Sequence, residues 1–165
     1  MLSFSRRKFL TLLAALPIAA CGYQPVLKQG GAAQGLQGNI GFNLIESREG
    51  FVLLGQLEKR LGKAGPSARY QAAIDLIIEE DELELTALTG LVRYTLNGYA
   101  KLVVTDQTTG ETVFSDKLRD VIGYSGNEQT LATTTSQRDA TDKLILSLAE
   151  MIVLQLTSTA ESWAG

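Results

Sequence analysis

Leu91-Val92-Arg93-Tyr94-Thr95-Leu96-Asn97-Gly98-Tyr99-Ala100-Lys101-Leu102-Val103-Val104-Thr105 is the stretch that decides the fold. Val92, Tyr94, Leu96, Ala100, Leu102 and Val104 alternate with Arg93, Thr95, Asn97, Tyr99 and Lys101. A period of two sends one set to a core and the other to solvent, so 91–105 reads as a long half-buried strand. Gly98 interrupts the apolar set and marks either a bulge or a point of close approach.

The neighbouring segments extend the pattern. Asp106-Gln107-Thr108-Thr109-Gly110 reads as a hairpin turn. A strand over 111–123 follows, with Phe114, Leu118 and Ile122 on one face and Lys117, Arg119 and Val121 on the other. Upstream, Tyr70, Ala72, Ile74, Leu76 and Ile78 alternate with Gln71, Ala73, Asp75 and Glu79, which predicts another half-buried strand. Ile40, Phe42 and Leu44 alternate in the same way and predict a first strand over 39–45.

Two segments carry the helical period instead. Phe51, Leu54, Leu57 and Leu61 predict a helix over 48–62. Ser47 suits its N-cap, Glu49 its first turn, and Gly62 with Gly65-Pro66 its stop. From Glu128 the period changes again, and Leu131, Thr135, Asp142, Ile145, Leu148, Ile152 and Leu156 predict a long helix over 128–157. Thr133-Thr134-Thr135 is poor helix material, so its start is expected to be marginal. The order is β-α-β-β-β-α. The expected fold is α+β, with two helices packed on one face of a mostly antiparallel four-stranded sheet. The other face stays uncovered and takes Arg93, Thr95, Asn97, Tyr99, Lys101, Lys117 and Arg119.

The N-terminus has a different character. Arg6-Arg7-Lys8 precedes the apolar run Phe9 to Pro17, then Ile18-Ala19-Ala20 and Cys21, the single cysteine. A basic start, a short apolar core and small residues before the cut describe a secretory signal over 1–20. The aliphatic and small residues before Cys21 resemble a bacterial lipobox. Cys21 then carries S-diacylglycerol and N-acyl chains, palmitate among them, as its covalent lipid, and no other cofactor is expected. The apolar run is shorter than the roughly 20 residues a membrane helix needs. Ser5-Arg6-Arg7-Lys8-Phe9-Leu10 fits a twin-arginine export signal and an ordinary basic leader equally. Gly22 stands where an Asp would retain a lipoprotein in the inner membrane, which favours the outer one. Residues 21–38, with Pro25, Gly30, Gly31, Gly35 and Gly38, read as a lipidated flexible tether, and 39–165 as a single domain.

Composition narrows the function. Loss of 1–20 removes three of the 15 basic residues and none of the 18 acidic ones, leaving a side-chain charge of −6. That balance argues against nucleic acid as a partner. The chain has no histidine, so His triads, His general bases and His-containing metal sites are excluded. Glu79-Glu80-Asp81-Glu82 with Glu84 is the one acidic cluster, expected as a solvated loop without the spacing of a calcium loop. No phosphate-binding glycine motif is present. The residues point away from an enzyme.

The chain resembles the LptE family, the lipopolysaccharide-assembly lipoproteins of Gram-negative bacteria, in its α-proteobacterial form. The resemblance rests on Cys21-Gly22-Tyr23-Gln24-Pro25, Leu57-Glu58-Lys59-Arg60-Leu61-Gly62, Arg93 to Ala100 and Thr108-Thr109-Gly110. It continues through Tyr124-Ser125 and from Ala132 through Asp139-Ala140 to Ile152. It implies a non-enzymatic lipoprotein, anchored on the periplasmic side of the outer membrane. It also implies a place in the lumen of the LptD β-barrel, which it plugs, helps to assemble, and serves in lipopolysaccharide transport. Some members of that family bind lipopolysaccharide through basic residues near the β2–β3 loop and the start of the last helix. Here Asp81 to Gly90 and Leu131-Ala132-Thr133 hold no base, so Arg93, Lys101 and Arg138 are the candidate contacts for lipopolysaccharide or partner. The uncovered face and the segments 81–90 and 106–110 are expected to meet the barrel. Two other readings stand beside this one: a lipid- or ligand-binding accessory lipoprotein of another envelope transport system, and a hydrolase working with paired carboxylates.

Overall fold

The computed structural model describes residues 32–86, 91–127 and 130–164. Its elements are α1 (Ala32–Gly35), β1 (Ile40–Phe42), α2 (Arg48–Leu61), β2 (Tyr70–Thr86), β3 (Leu91–Asp106), β4 (Thr112–Asn127) and α3 (Thr130–Trp163). The sheet order is β1-β2-β3-β4. β1 runs parallel to β2, and β2, β3 and β4 form an antiparallel meander. The fold is α+β with a mixed sheet, and α2 and α3 lie on one of its faces.

Alternation on β3 sets that face. Val92, Leu96, Ala100, Leu102 and Val104 are buried, as are Tyr70, Ala72 and Ile74 of β2. Against them α3 lays Ala140, Leu144, Ile145, Leu148, Ala149, Ile152, Leu156 and Ala160, spaced at three and four residues. Leu53, Leu57 and Leu61 of α2 complete the layer. Thr133–Trp163 is long and apolar enough to cross a membrane, with a mean hydropathy of 1.3. Its buried stripe instead makes it the core helix of a two-layer domain. Gly98 resolves as a point of close approach: a Cβ there would stand 2.8 Å from Leu148 Cδ1. The register runs unbroken through it, and the irregularities fall at Glu82/Glu84 and Val104/Thr105.

The caps of α2 are those the sequence predicts. Ser47 Oγ accepts from Gly50 N at 2.9 Å, and Gly62 takes a φ of 78°. Two ion pairs tie α2 to α3. Arg48 meets Asp142 through two bonds of 2.9 and 3.2 Å, and Arg60 meets Glu150 at 2.6 Å.

Several expectations change: β1 covers only Ile40–Phe42 of 39–45, and on α2 Leu53 is buried while Phe51 is exposed and Leu54 only half-buried. First, the acidic run 79–82 is strand rather than loop, because β2 pairs with β3 as far as Thr86↔Leu91. Second, residues 32–38 belong to the domain and not to a tether. Ala33 and Leu36 are buried in the core, Leu36 at 0% exposure, and Gly38 N donates to Leu61 O at 2.8 Å. Third, β4 continues past 123 to Asn127. Fourth, α3 continues past 157 to Trp163. Hydroxyls of Thr157, Thr159 and Ser162 donate to carbonyls one turn back, so this Ser/Thr-rich end satisfies its hydroxyls within the helix. Trp163 then packs on Tyr70 at 5.3 Å and Phe114 at 5.7 Å between ring centroids. Cys21 and the signal segment lie outside the described residues.

Candidate functional site

The face of the sheet turned away from the helices is the candidate surface. The odd positions of β3 occupy it: Arg93, Thr95, Asn97, Tyr99 and Lys101. The register sets Tyr99 between Ile77 and Arg119, and Lys101 between Asp75 and Lys117. A groove of about 510 Å³ runs across these three strands, lined among others by Asp75, Glu79, Tyr99, Lys101, Lys117 and Arg119.

One residue organises the middle of this face. Asn97 is 6% exposed on a face that is otherwise wet. Its Nδ2 donates to Asp81 Oδ2 at 2.8 Å, and its Oδ1 accepts from Arg119 Nη2 at 2.8 Å. The Arg119 guanidinium lies 5.4 Å from the Tyr99 ring centroid. An amide whose nitrogen bonds a carboxylate and whose oxygen bonds a guanidinium leaves neither polar atom without a partner, and its burial therefore carries less penalty. The chain Asp81–Asn97–Arg119 locks the positions of charges from three strands. Beside it, Lys101 and Lys117 stand directly opposite one another, an arrangement of like charges that costs stability.

The candidate contacts are placed as follows. Arg93 and Lys101 are both exposed on this face but lie eight positions apart on one strand, roughly 26 Å. Arg138 is exposed on α3, in the helix layer, beside a groove that Arg48, Glu49 and Gln137 also line. The fold does not bring the three together. It brings Lys101, Lys117 and Arg119 together instead. The lysine pair is legible only once β3 and β4 are in register.

The hairpin turn at the end of this face is braced. Asp106 is buried and accepts from Thr108 N at 2.8 Å and from Arg69 Nε at 2.9 Å. The Thr108 amide first, then the Arg69 guanidinium, hold the Asp106 carboxyl below the usual carboxylate range, against the opposing effect of burial. At the other end, Glu80 Oε2 accepts from Tyr124 Oη at 3.0 Å and from Gln137 Nε2 at 2.6 Å. Burial, then the bond to Glu80, raise the Tyr124 hydroxyl above its ordinary pKa. Glu80 thus faces the helices while Asp81 bonds across the open face, so neighbouring carboxylates of the acidic run serve opposite sides. Among the described residues no group of three His, Cys, Asp or Glu side chains is placed to hold a metal ion.

No family model matches the chain, and no curated protein matches it by sequence. Solved structures do share its fold. A Caulobacter crescentus CB15 protein classed as a lipoprotein matches with a TM-score of 0.64 and 19% identity, over 78% of this chain and 95% of its own. A minor lipoprotein from Acinetobacter baumannii matches at 0.59 and 17% identity, over 74% and 92%. Rare lipoprotein B from Shewanella oneidensis matches at 0.55 and 13% identity, over 73% and 93%. The chain therefore has the fold of these lipoproteins along nearly the whole length of each.

Proposed function

We propose that the protein is a non-enzymatic, lipid-anchored lipoprotein of the outer membrane, of LptE type. It occupies the lumen of an LptD-like β-barrel from the periplasmic side, supports the barrel's assembly, and serves lipopolysaccharide transport to the outer leaflet. The observation that carries this reading is the fold shared with solved lipoproteins, rare lipoprotein B among them. The Cys21 lipobox and the residues that resemble the LptE family support it.

The physical picture is coherent. Each buried CH₂ of an acyl chain contributes about 0.8 kcal/mol, so three chains on Cys21 would hold the domain at the membrane. A barrel lumen is polar and wet. A sheet face bearing fixed charges and a hydrogen-bonded Asn97 suits that setting better than it suits a lipid core. The packed core, with Leu144, Ile145, Leu148 and Ile152 at 0–1% exposure, is built for rigidity.

Affinity purification from detergent-solubilised outer membranes tests the reading. The expected result is a large β-barrel recovered at close to equal stoichiometry, and loss of membrane retention in Cys21→Ala. An intact, abundant lipoprotein recovered without a barrel overturns it. Bound lipid in that preparation would move the assignment to an accessory lipoprotein that carries a ligand.

A further inference from the structure

The two edges of the sheet are finished differently. β1 pairs with β2 only at Tyr70, Gln71 and Ala72. Tyr70 N donates to Asn39 O at 3.1 Å, and Asn43 N donates to Ala72 O at 3.1 Å. Asn43 then stands in for one more strand residue: its Oδ1 accepts from Ile74 N at 2.7 Å and its Nδ2 donates to Ile74 O at 3.4 Å. The chain next turns away into α2. Even positions of β2 therefore aim their main-chain groups outward. Leu76, Ile78 and Glu80 do so with no strand partner among the described residues.

The opposite edge is guarded. By the same alternation, β4 aims the amides of Lys117 and Val121 outward. Asp116 Oδ1 accepts from Lys117 N at 2.7 Å, and Asp120 Oδ1 accepts from Val121 N at 2.8 Å. Side chains that occupy outward donors, together with charge, are how an edge avoids pairing with another chain. Among the described residues, no side chain occupies an outward amide of β2 beyond Ile74.

The surroundings of the open edge match an added strand. Leu44, directly after Asn43, is 68% exposed, Phe51 of α2 73% and Ile77 49%. On the helix side a groove of about 390 Å³ lies against Leu76, Ile78 and Leu96. A strand laid on this edge would send alternate side chains into that groove. Charge selects the occupant. Glu79, Glu80, Asp81 and Glu82 run along the edge and Glu49 borders the groove. A second copy paired antiparallel would set this acidic run against itself or against Asp75, which is unfavourable.

We infer that the free edge of β2, from Leu76 to Glu82, is a docking site for an extended segment of another protein that alternates apolar residues with lysine or arginine. The partner's main chain continues the ladder beyond Asn43. Its apolar side chains fill the groove by Leu76 and Ile78, and its cations lie on the other face beside Glu79. This inference does not depend on the barrel role.

Hydrogen-exchange mass spectrometry of the full-length lipidated protein in neutral detergent tests it. The probe is a synthetic peptide of about ten residues in which valine alternates with lysine and threonine. The control replaces its lysines with glutamate. The expected result is exchange about tenfold slower at the outward amides of Leu76, Ile78 and Glu80, read at residue resolution, with the lysine peptide alone. Ile78→Pro removes an outward donor without touching the β3 ladder, and abolishes the slowing. Glu79→Lys weakens it at unchanged thermal stability and guards against misreading a folding defect. Unaltered exchange at these amides, equal slowing by both peptides, or slowing that persists in Ile78→Pro overturns the inference. Protection already present without peptide at the outward amides of Leu76, Ile78 and Glu80, whether constant or rising with protein concentration, also overturns it, because the edge is then covered by the protein itself.

Discussion

β3 serves two faces at once, and they obey different rules. Its even positions, Val92 to Val104, meet α3 and are apolar or glycine, with Tyr94 half-buried. Its odd positions, Arg93 to Lys101, carry charge, hydroxyls and one buried amide. The covered face is held by burial, which is non-directional and tolerant of which apolar residue supplies it. The open face is held by geometry, because Asn97 works only with Asp81 and Arg119 in place. Stability therefore resides in one face and specificity in the other.

The largest expected effect tests the first half of that contrast. Leu148 is 0% exposed and approaches Gly98 more closely than a Cβ would allow. Leu148→Ala should cost about 3 kcal/mol and lower the melting temperature by roughly 6–12 °C. Thr95→Ala, on the open face of β3, should stay within about 0.5 kcal/mol. Similar losses for the two, measured by urea unfolding, would break the comparison.

A smaller effect tests the second half. Asn97→Leu keeps the volume and strips both hydrogen bonds, and should cost about 1–2 kcal/mol. A double-mutant cycle with Arg119→Ala should show coupling of about 1 kcal/mol. Strict additivity would mean that the three-strand chain is not a unit.

Much of this was legible beforehand. The period of two in 91–105 and the caps Ser47 and Gly62 are local signals, and each marks the element where it lies. What stayed hidden depends on partners. The run 79–82 is charged at both parities and looks like a loop, yet β3 holds it as strand through a register that no local pattern contains. Residues 32–38 look like a linker because of their glycines, while Ala33 and Leu36 find burial only once α3 is in place. The opposition of Lys101 and Lys117 and the burial of Asn97 both require the hairpin register. The expected processing and lipidation at Cys21 lie outside the described residues.

The hairpin at the end of the open face should show in pH dependence. The Asp106 carboxyl is held below its ordinary value by Thr108 N and Arg69. In the unfolded chain it titrates near about 3.9. A lowered native value means that the unfolded state takes up the proton first. The stabilisation is therefore full above about pH 4 and is lost as pH falls through the native value. Thermal unfolding followed between neutrality and acid should show this loss, and Asp106→Asn should flatten that part of the profile. An unchanged profile would mean that the turn contributes no linked stability.

A charge change sharpens the comparison from the functional side. Lys117→Glu replaces a cross-strand repulsion with an attraction to Lys101, so stability should hold or rise by a few tenths of a kcal/mol, at most about 1. If the open face meets the barrel, recovery of the barrel should nonetheless fall. Unchanged recovery at unchanged stability would place the contact elsewhere on the domain.

The smallest effect sets one polar atom against another. Asn97 is a polar side chain on the open face with every group engaged. Tyr70 is 2% exposed on the covered face, packs edge-on against Trp163, and its hydroxyl has no hydrogen-bond partner among the described residues. Burying an unmade hydroxyl costs free energy that its removal returns. Tyr70→Phe should therefore leave stability unchanged or raise it by about 0.5–1 kcal/mol, whereas Asn97→Leu lowers it. Urea midpoints for the two variants decide the matter. A loss above about 1 kcal/mol for Tyr70→Phe would mean that a buried water satisfies the hydroxyl. The covered face would then hold a polar bond of its own, and the division between the faces would be one of degree.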